Sequence, residues 1–133
     1  MLDESYNASG ASVRAALAVL ALQPATRRIA VLGDMLELGE AGPAEHIALA
    51  EDVARCADLL FTCGPLMAGL HEAVSPAQRG THAEDAAALA PLLAAALRPG
   101  DAVLVKGSLG SGMKRVVQAI DTQHTDIAAA EAA

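Results

Sequence analysis

Three short apolar runs, each closed by glycine, constrain this chain more than any other feature. They are Arg28-Ile29-Ala30-Val31-Leu32-Gly33, Asp58-Leu59-Leu60-Phe61-Thr62-Cys63-Gly64 and Asp101-Ala102-Val103-Leu104-Val105-Lys106-Gly107. Continuous apolar runs bounded by Asp and Gly suit strands buried on both faces, as in a parallel sheet. A weaker fourth strand is expected at Arg79–Ala83. Helical stretches lie between them. Val13, Leu17 and Leu20 recur at spacings of four and three. Pro43 suits a first helical turn, and Ile47, Ala50, Val53 and Ala57 continue a face behind it. Leu89, Leu92, Leu93, Ala96 and Leu97 precede the stop Arg98-Pro99-Gly100, with Pro91 predicting a kink or a late start. A last helix should follow Gly112 and carry Val116, Val117 and Ile120.

Strands alternating with helices predict an α/β fold: a Rossmann-like, doubly wound, mostly parallel sheet flanked by helices, with right-handed crossovers. At 133 residues the chain has the length of one domain, able to bury a core without a metal or disulfide staple. We place that domain at residues 1–121 and expect a frayed tail over residues 122–133, polar and then alanine-rich. No internal repeat is present.

Charge and composition remove several function classes. A net charge of −7 argues against a nucleic-acid partner, because little here would displace phosphate counterions. With Tyr6 and Phe61 as the aromatic residues, platforms for stacking bases are nearly absent. No apolar run approaches the ~20 residues of a membrane span, and the start lacks a signal-peptide pattern, so we expect a cytoplasmic protein. Cys56 and Cys63 form no CxxC pair and read as reduced, buried thiols. His46, His71, His82 and His124 share no metal-ligand spacing, so no metal site is expected within the chain. No nucleophile elbow and no nucleophile–histidine arrangement occurs. The chain looks like the binding half of something larger.

In open α/β sheets, ligands bind outside the carboxyl ends of the strands. That rule selects the loops Gly33–Gly42, Gly64–Met67 and Gly107–Met113, with the segment before the first helix as a fourth candidate. The first loop carries Asp34, Glu37 and Glu40. Asp34, at a strand tip, could orient a ribose hydroxyl or a cationic substrate group, or belong to a solvated acidic loop. Leu36 and Leu38 alternate with the acids, which suggests packing against something. Lys106-Gly107-Ser108-Leu109-Gly110-Ser111-Gly112 fails the Walker pattern, since Met113-Lys114-Arg115 stands where Lys-Ser/Thr is required. It also lacks the glycine spacing of a dinucleotide fingerprint. A cation at a strand end, flexible amides and a helix start still favour an anion, either a carboxylate or a phosphate.

Taken in order, these segments resemble a known family. Asp3-Glu4-Ser5-Tyr6-Asn7-Ala8-Ser9 is similar to the opening of the C-terminal domain of the Mur ligases. Within them it is nearest to the type that joins D-Ala-D-Ala to UDP-N-acetylmuramoyl-tripeptide. Val31 to Glu40, with His46 shortly after, resembles that type's second signature; Val105-Lys106-Gly107-Ser108, then Met113, resembles its third. The resemblance implies a bacterial, cytoplasmic peptide ligase of peptidoglycan synthesis that uses ATP and Mg2+ and proceeds through an acyl phosphate. It implies three domains, with the phosphate loop and metal ligands in a central ATPase domain and a UDP-binding domain at the N-terminus. This chain would be the third domain, closing over ATP and the acceptor and not catalytic alone.

Carried over residue by residue, Asp3 or Glu4 matches the acid associated with the nucleotide ribose, and Ser5, Tyr6 and Asn7 lie in the same ATP-side signature. Asp34, Glu37, His46, Lys106 and Ser108 match the substrate-side loops. Ser9-Gly10 stands where the family commonly has Asn-Pro, and an arginine often found after Lys-Gly-Ser is missing here. Independently of the family, Tyr6-Asn7 also reads as a turn before a helix with Ser9 as N-cap. Two alternatives stay open: another Mur-superfamily amino-acid ligase, such as a folate polyglutamate synthase, or a stand-alone receiver- or flavodoxin-like module. Tyr6-Asn7-Ala8 and Gly33-Asp34-Met35 argue against the first. Against the second, the strand Leu60-Phe61-Thr62-Cys63-Gly64 lacks the terminal Asp of a phosphoacceptor.

Overall fold

The computed structural model describes residues 10–36, 38–107, 112–123 and 128–131. All three apolar runs are strands: β1 (Arg27–Gly33), β2 (Leu59–Cys63) and β4 (Asp101–Lys106). The weak fourth run is β3 (Arg79–Ala83), and Ala128–Glu131 adds β5. Every pairing is parallel, in the order β3-β2-β1-β4-β5. The chain thus builds outward from β1 in one direction and then crosses back to β1's other edge. That reversal puts a topological switch point between the carboxyl ends of β1 and β4.

Helices α1 (Gly10–Ala21), α3 (Ala50–Cys56) and α4 (Met67–Ala73) cover one face. Leu17, Val53 and Leu70 pack there on Leu32, Leu60 and Leu104. Helices α5 (Ala86–Ala96) and α6 (Lys114–Gln123) cover the other, where Leu89, Leu93 and Ile120 meet Ile29, Val31 and Val103. Alternate residues of one strand therefore feed two separate cores, which is why the strands read as unbroken apolar runs. Among the described residues no helix is long and apolar enough to cross a membrane.

Three expectations need adjustment. The helix behind Pro43 is divided into α2 (Gly42–Ile47) and α3, and its inner face is set by His46, Leu49 and Val53. Ile47, read as inward, is 47% exposed. Two backbone groups, the Met35 N–H and Gly42 O, draw His46 into the core, and the inward face turns with it. Helix α5 begins at Ala86 and runs through Pro91, so the late start does not occur; Asp85 caps it by accepting from the Ala88 N–H at 2.8 Å. In the segment expected to fray, α6 continues through Gln123 and residues 128–131 lie along β4 as the fifth strand.

The switch-point seam is fastened at its far end. Arg27 Nε and Nη2 donate to the two oxygens of Asp101 at 2.8 and 2.7 Å, and Arg98 N–H donates to Asp101 Oδ2 at 2.8 Å. Burial of Asp101 opposes its charge, but the Arg27 fork and the Arg98 N–H outweigh it and hold the carboxyl below the usual range.

Candidate functional site

At the carboxyl end of the sheet, the tips of β1, β2 and β3 enclose a cleft of about 180 Å3. It is lined by Asp34, Leu36, Cys63, Gly64, Pro65, Glu84 and Asp85. Three carboxylates thus surround a partly apolar floor and lip. Glu84 and Asp85 are exposed, with one oxygen of Asp85 engaged by the α5 cap. The arrangement suits a small group carrying a positive charge next to apolar substituents.

Asp34 is buried, at 5% exposure. Its Oδ1 accepts from Met67 N–H at 2.9 Å and its Oδ2 from Leu66 N–H at 3.2 Å, at the start of α4. The carboxylate so placed satisfies two of the orphan donors of that helix end and its positive dipole. Gly64 adopts φ +100°, and a Cβ built there would stand 2.5 Å from Asp34 Cγ. Only glycine permits both the backbone conformation and the approach of the carboxylate.

His46 is fully buried. Met35 N–H donates to its Nε2 at 2.9 Å, so Nε2 must be the unprotonated nitrogen and Nδ1–H donates to Gly42 O. Both ring nitrogens are therefore engaged by backbone, and the imidazole braces the loop after β1 without facing the cleft. Met35 is likewise fully buried and Leu38 packs on the core, as expected, whereas Leu36 is 37% exposed at the lip of the cleft.

Cys63 lies on the cleft floor at the end of β2 and its thiol donates to Met113 Sδ at 3.5 Å. Burial, with Asp34 and Asp85 adding to it, pushes the thiol up to about 11, so it stays protonated at neutral pH and is no nucleophile. Lys106 is buried at the end of β4, one register step past Val105, and pairs in the ladder with Leu32 of β1. It therefore flanks the switch point on the side opposite Asp34.

Of the residues named from sequence, the structure gathers Asp34, His46 and Lys106 at this one edge. Asp3, Glu4, Ser5, Tyr6, Asn7, Glu37 and Ser108 lie outside the described residues. Pro65 lies in the Gly64–Met67 loop selected from sequence, but sequence reasoning missed Cys63, Glu84 and Asp85 as cleft residues. Glu84 and Asp85 follow directly on β3, and the strand-end rule would have found them had that short run been weighted as a full strand. Among the described residues no group of three or more His, Cys, Asp or Glu side chains is placed to hold a metal ion.

Comparison with known proteins points one way. Residues 2–109 match the family described as Mur ligase, glutamate ligase domain. The chain is 39% identical to the UDP-N-acetylmuramoyl-tripeptide–D-alanyl-D-alanine ligase of Mycobacterium tuberculosis over 149 residues, covering 94% of this chain and 29% of that protein. The enzyme of the same name from Escherichia coli is 35% identical, covering 94% of this chain and 27% of its own length. Among solved structures, the MurF ligase from Thermotoga maritima in complex with ADP superposes with a TM-score of 0.74 at 27% identity, covering 92% of this chain and 28% of that one. MurF from Acinetobacter baumannii gives 0.72 at 26% identity, covering 87% and 26%. The chain spans less than a third of the length of the relatives it matches.

Proposed function

Because the chain belongs to the Mur ligase family, as its C-terminal (glutamate ligase) domain, we propose that it is the third domain of an ATP-dependent ligase joining D-Ala-D-Ala to UDP-N-acetylmuramoyl-tripeptide. The reaction is a step of peptidoglycan synthesis in the bacterial cytoplasm. The observation that carries the reading is that the two relatives above, 39% and 35% identical across 94% of this chain, bear that one name. A central ATPase domain and an N-terminal UDP-binding domain of the same polypeptide are its partners.

The acidic cleft supports assigning this edge to the amine component. A dipeptide of D-alanine brings an ammonium group, which Glu84 and Asp85 attract, and methyl groups, which suit Leu36 and Pro65. Lys106, on the other side of the switch point, and Ser108, which follows it in sequence, are assigned to the dipeptide's carboxylate. The same acidic lining does not suit a triphosphate, so the nucleotide is not placed in this cleft. Its contacts from this chain are assigned to Asp3, Glu4, Ser5, Tyr6 and Asn7, and Mg2+ to the central domain. When bound, ATP supplies the phosphoryl group that activates the tripeptide carboxylate. The chain's own residues hold the amine in line with that carboxylate and exclude water on closure. Positioning of this kind can lower a barrier by roughly 7–11 kcal/mol.

The test is phosphate release by the intact protein with ATP, Mg2+, the UDP-linked tripeptide and D-Ala-D-Ala. Release that requires both the tripeptide and the dipeptide is expected. No release with all components present would refute the reading. Release with a single amino acid in place of the dipeptide would reassign the chain to another Mur ligase.

A further inference from the structure

We propose that Asp34 is a positioning residue for the amine side of this ligation, locking the loops after β1 and β2 into one wall of the cleft. The inference rests on the functional reading above and adds to it a role that involves no contact with substrate. An aspartate at a strand tip beside a cleft invites assignment as a ligand. Its oxygens argue otherwise, since each accepts a different backbone N–H at the start of α4, at 2.9 and 3.2 Å. Helix α4 has seven residues, too few to persist without tertiary support, and the buried anion fixes its first turn to β1.

The tie continues in both directions. Gly64 packs against the Asp34 carboxylate with no room for a side chain, and its N–H donates to Ala83 O at 3.1 Å. That bond anchors the β2 loop to β3 immediately before Glu84 and Asp85. On the other side, the N–H of Met35 is held by His46, whose second nitrogen donates to Gly42 O at the start of α2. Helix α2 in turn leans on α4, where Ile47 lies so close to Gly69 that a Cβ there would stand 3.1 Å from Ile47 Cγ1. The Asp34 carboxylate thus ties the tip of β1 to the start of α4, and the backbone bonds of its neighbours Gly64 and Met35 carry that tie on to β3 and, through His46, to α2. A site held this way fixes where an amine sits, and displacement by about 1 Å can cost on the order of 100-fold in rate.

The experiment uses the intact ligase. Asp34→Asn replaces one accepting oxygen by an NH2 group, which donates and cannot accept an N–H. We expect the KM for D-Ala-D-Ala to rise about 10-fold or more, with the KM values for ATP and for the UDP-linked tripeptide within about twofold of wild type. Hydrogen exchange over residues 64–70 should quicken. His46→Ala should move the same constant in the same direction, and His46→Gln, which keeps an acceptor for the Met35 N–H, should recover part of the loss. If Asp34→Asn does not accumulate as folded protein, the two His46 variants decide alone. Equal rises in all three KM values, or a lowered melting temperature with an unchanged dipeptide KM, would overturn the positioning role. A wild-type protein that ligates no D-Ala-D-Ala overturns the functional reading first, before any variant is compared, and the inference with it.

Discussion

Gly64 is the residue at which backbone conformation and site geometry meet. Gly64→Ala would force a side chain into φ +100° and into the Asp34 carboxylate. We expect it to cost about 3 kcal/mol, from strain and from disturbed hydrogen bonds, measurable by denaturant unfolding of this chain. Cys63, beside it, should resist alkylation at pH 8 in the folded chain and react once unfolded, because burial keeps its thiol protonated up to about 11. Labelling of Cys63 in the native state would contradict that. Lys106→Ala in the intact ligase should impair use of the dipeptide more than it lowers the melting temperature; unchanged kinetics would remove Lys106 from the anion side of the site. The sequence made Asp34 and Lys106 visible, since strand-end position follows from pattern alone. It could not show that Asp34 accepts from Leu66 and Met67, because those donors are 32 and 33 residues away and belong to the tertiary fold.

Among the elements, β1 and β4 carry the fold, and their junction is sensitive to acid. Asp101 has its carboxyl held low in the folded state by Arg27 and the Arg98 N–H, against the effect of burial. A depressed acid stabilises the fold above its unfolded value of ~3.9, and that contribution is lost as pH falls through the folded value. Asp101→Asn should therefore destabilise the chain by on the order of 2–3 kcal/mol at pH 7, with the difference from wild type shrinking below about pH 4. An equal difference at pH 3 and pH 7 would rule this linkage out. Strand identity was legible because burial on both faces writes an unbroken apolar run. Helix phase was less so: one buried histidine turned the α2–α3 face by a residue, and Ile47 faces out as a result. Strand β5, with the sequence Ala128-Ala129-Ala130-Glu131, carries no β-branched or aromatic signal, so nothing local distinguishes it from a frayed tail.

At the scale of the whole molecule, two helical layers and a parallel sheet bring the candidate cleft and Lys106 to one edge, at the carboxyl ends of the strands. We expect the isolated chain to release no phosphate from ATP in the presence of the tripeptide and dipeptide, and release by it alone would place a catalytic centre here. The order β3-β2-β1-β4-β5 has a further consequence for how the molecule is made. Arg27 and Asp101, which close the β1–β4 seam, are 74 residues apart. During synthesis β2 and β3 can dock on one side of β1 long before residues 101–106 emerge. Until they do, the other edge of β1, which includes the apolar Ile29 and Val31, is an unprotected strand open to the same strand of a neighbouring nascent chain. Association of nascent chains through that edge is therefore confined to this interval, and pairing of β4 on β1 ends it.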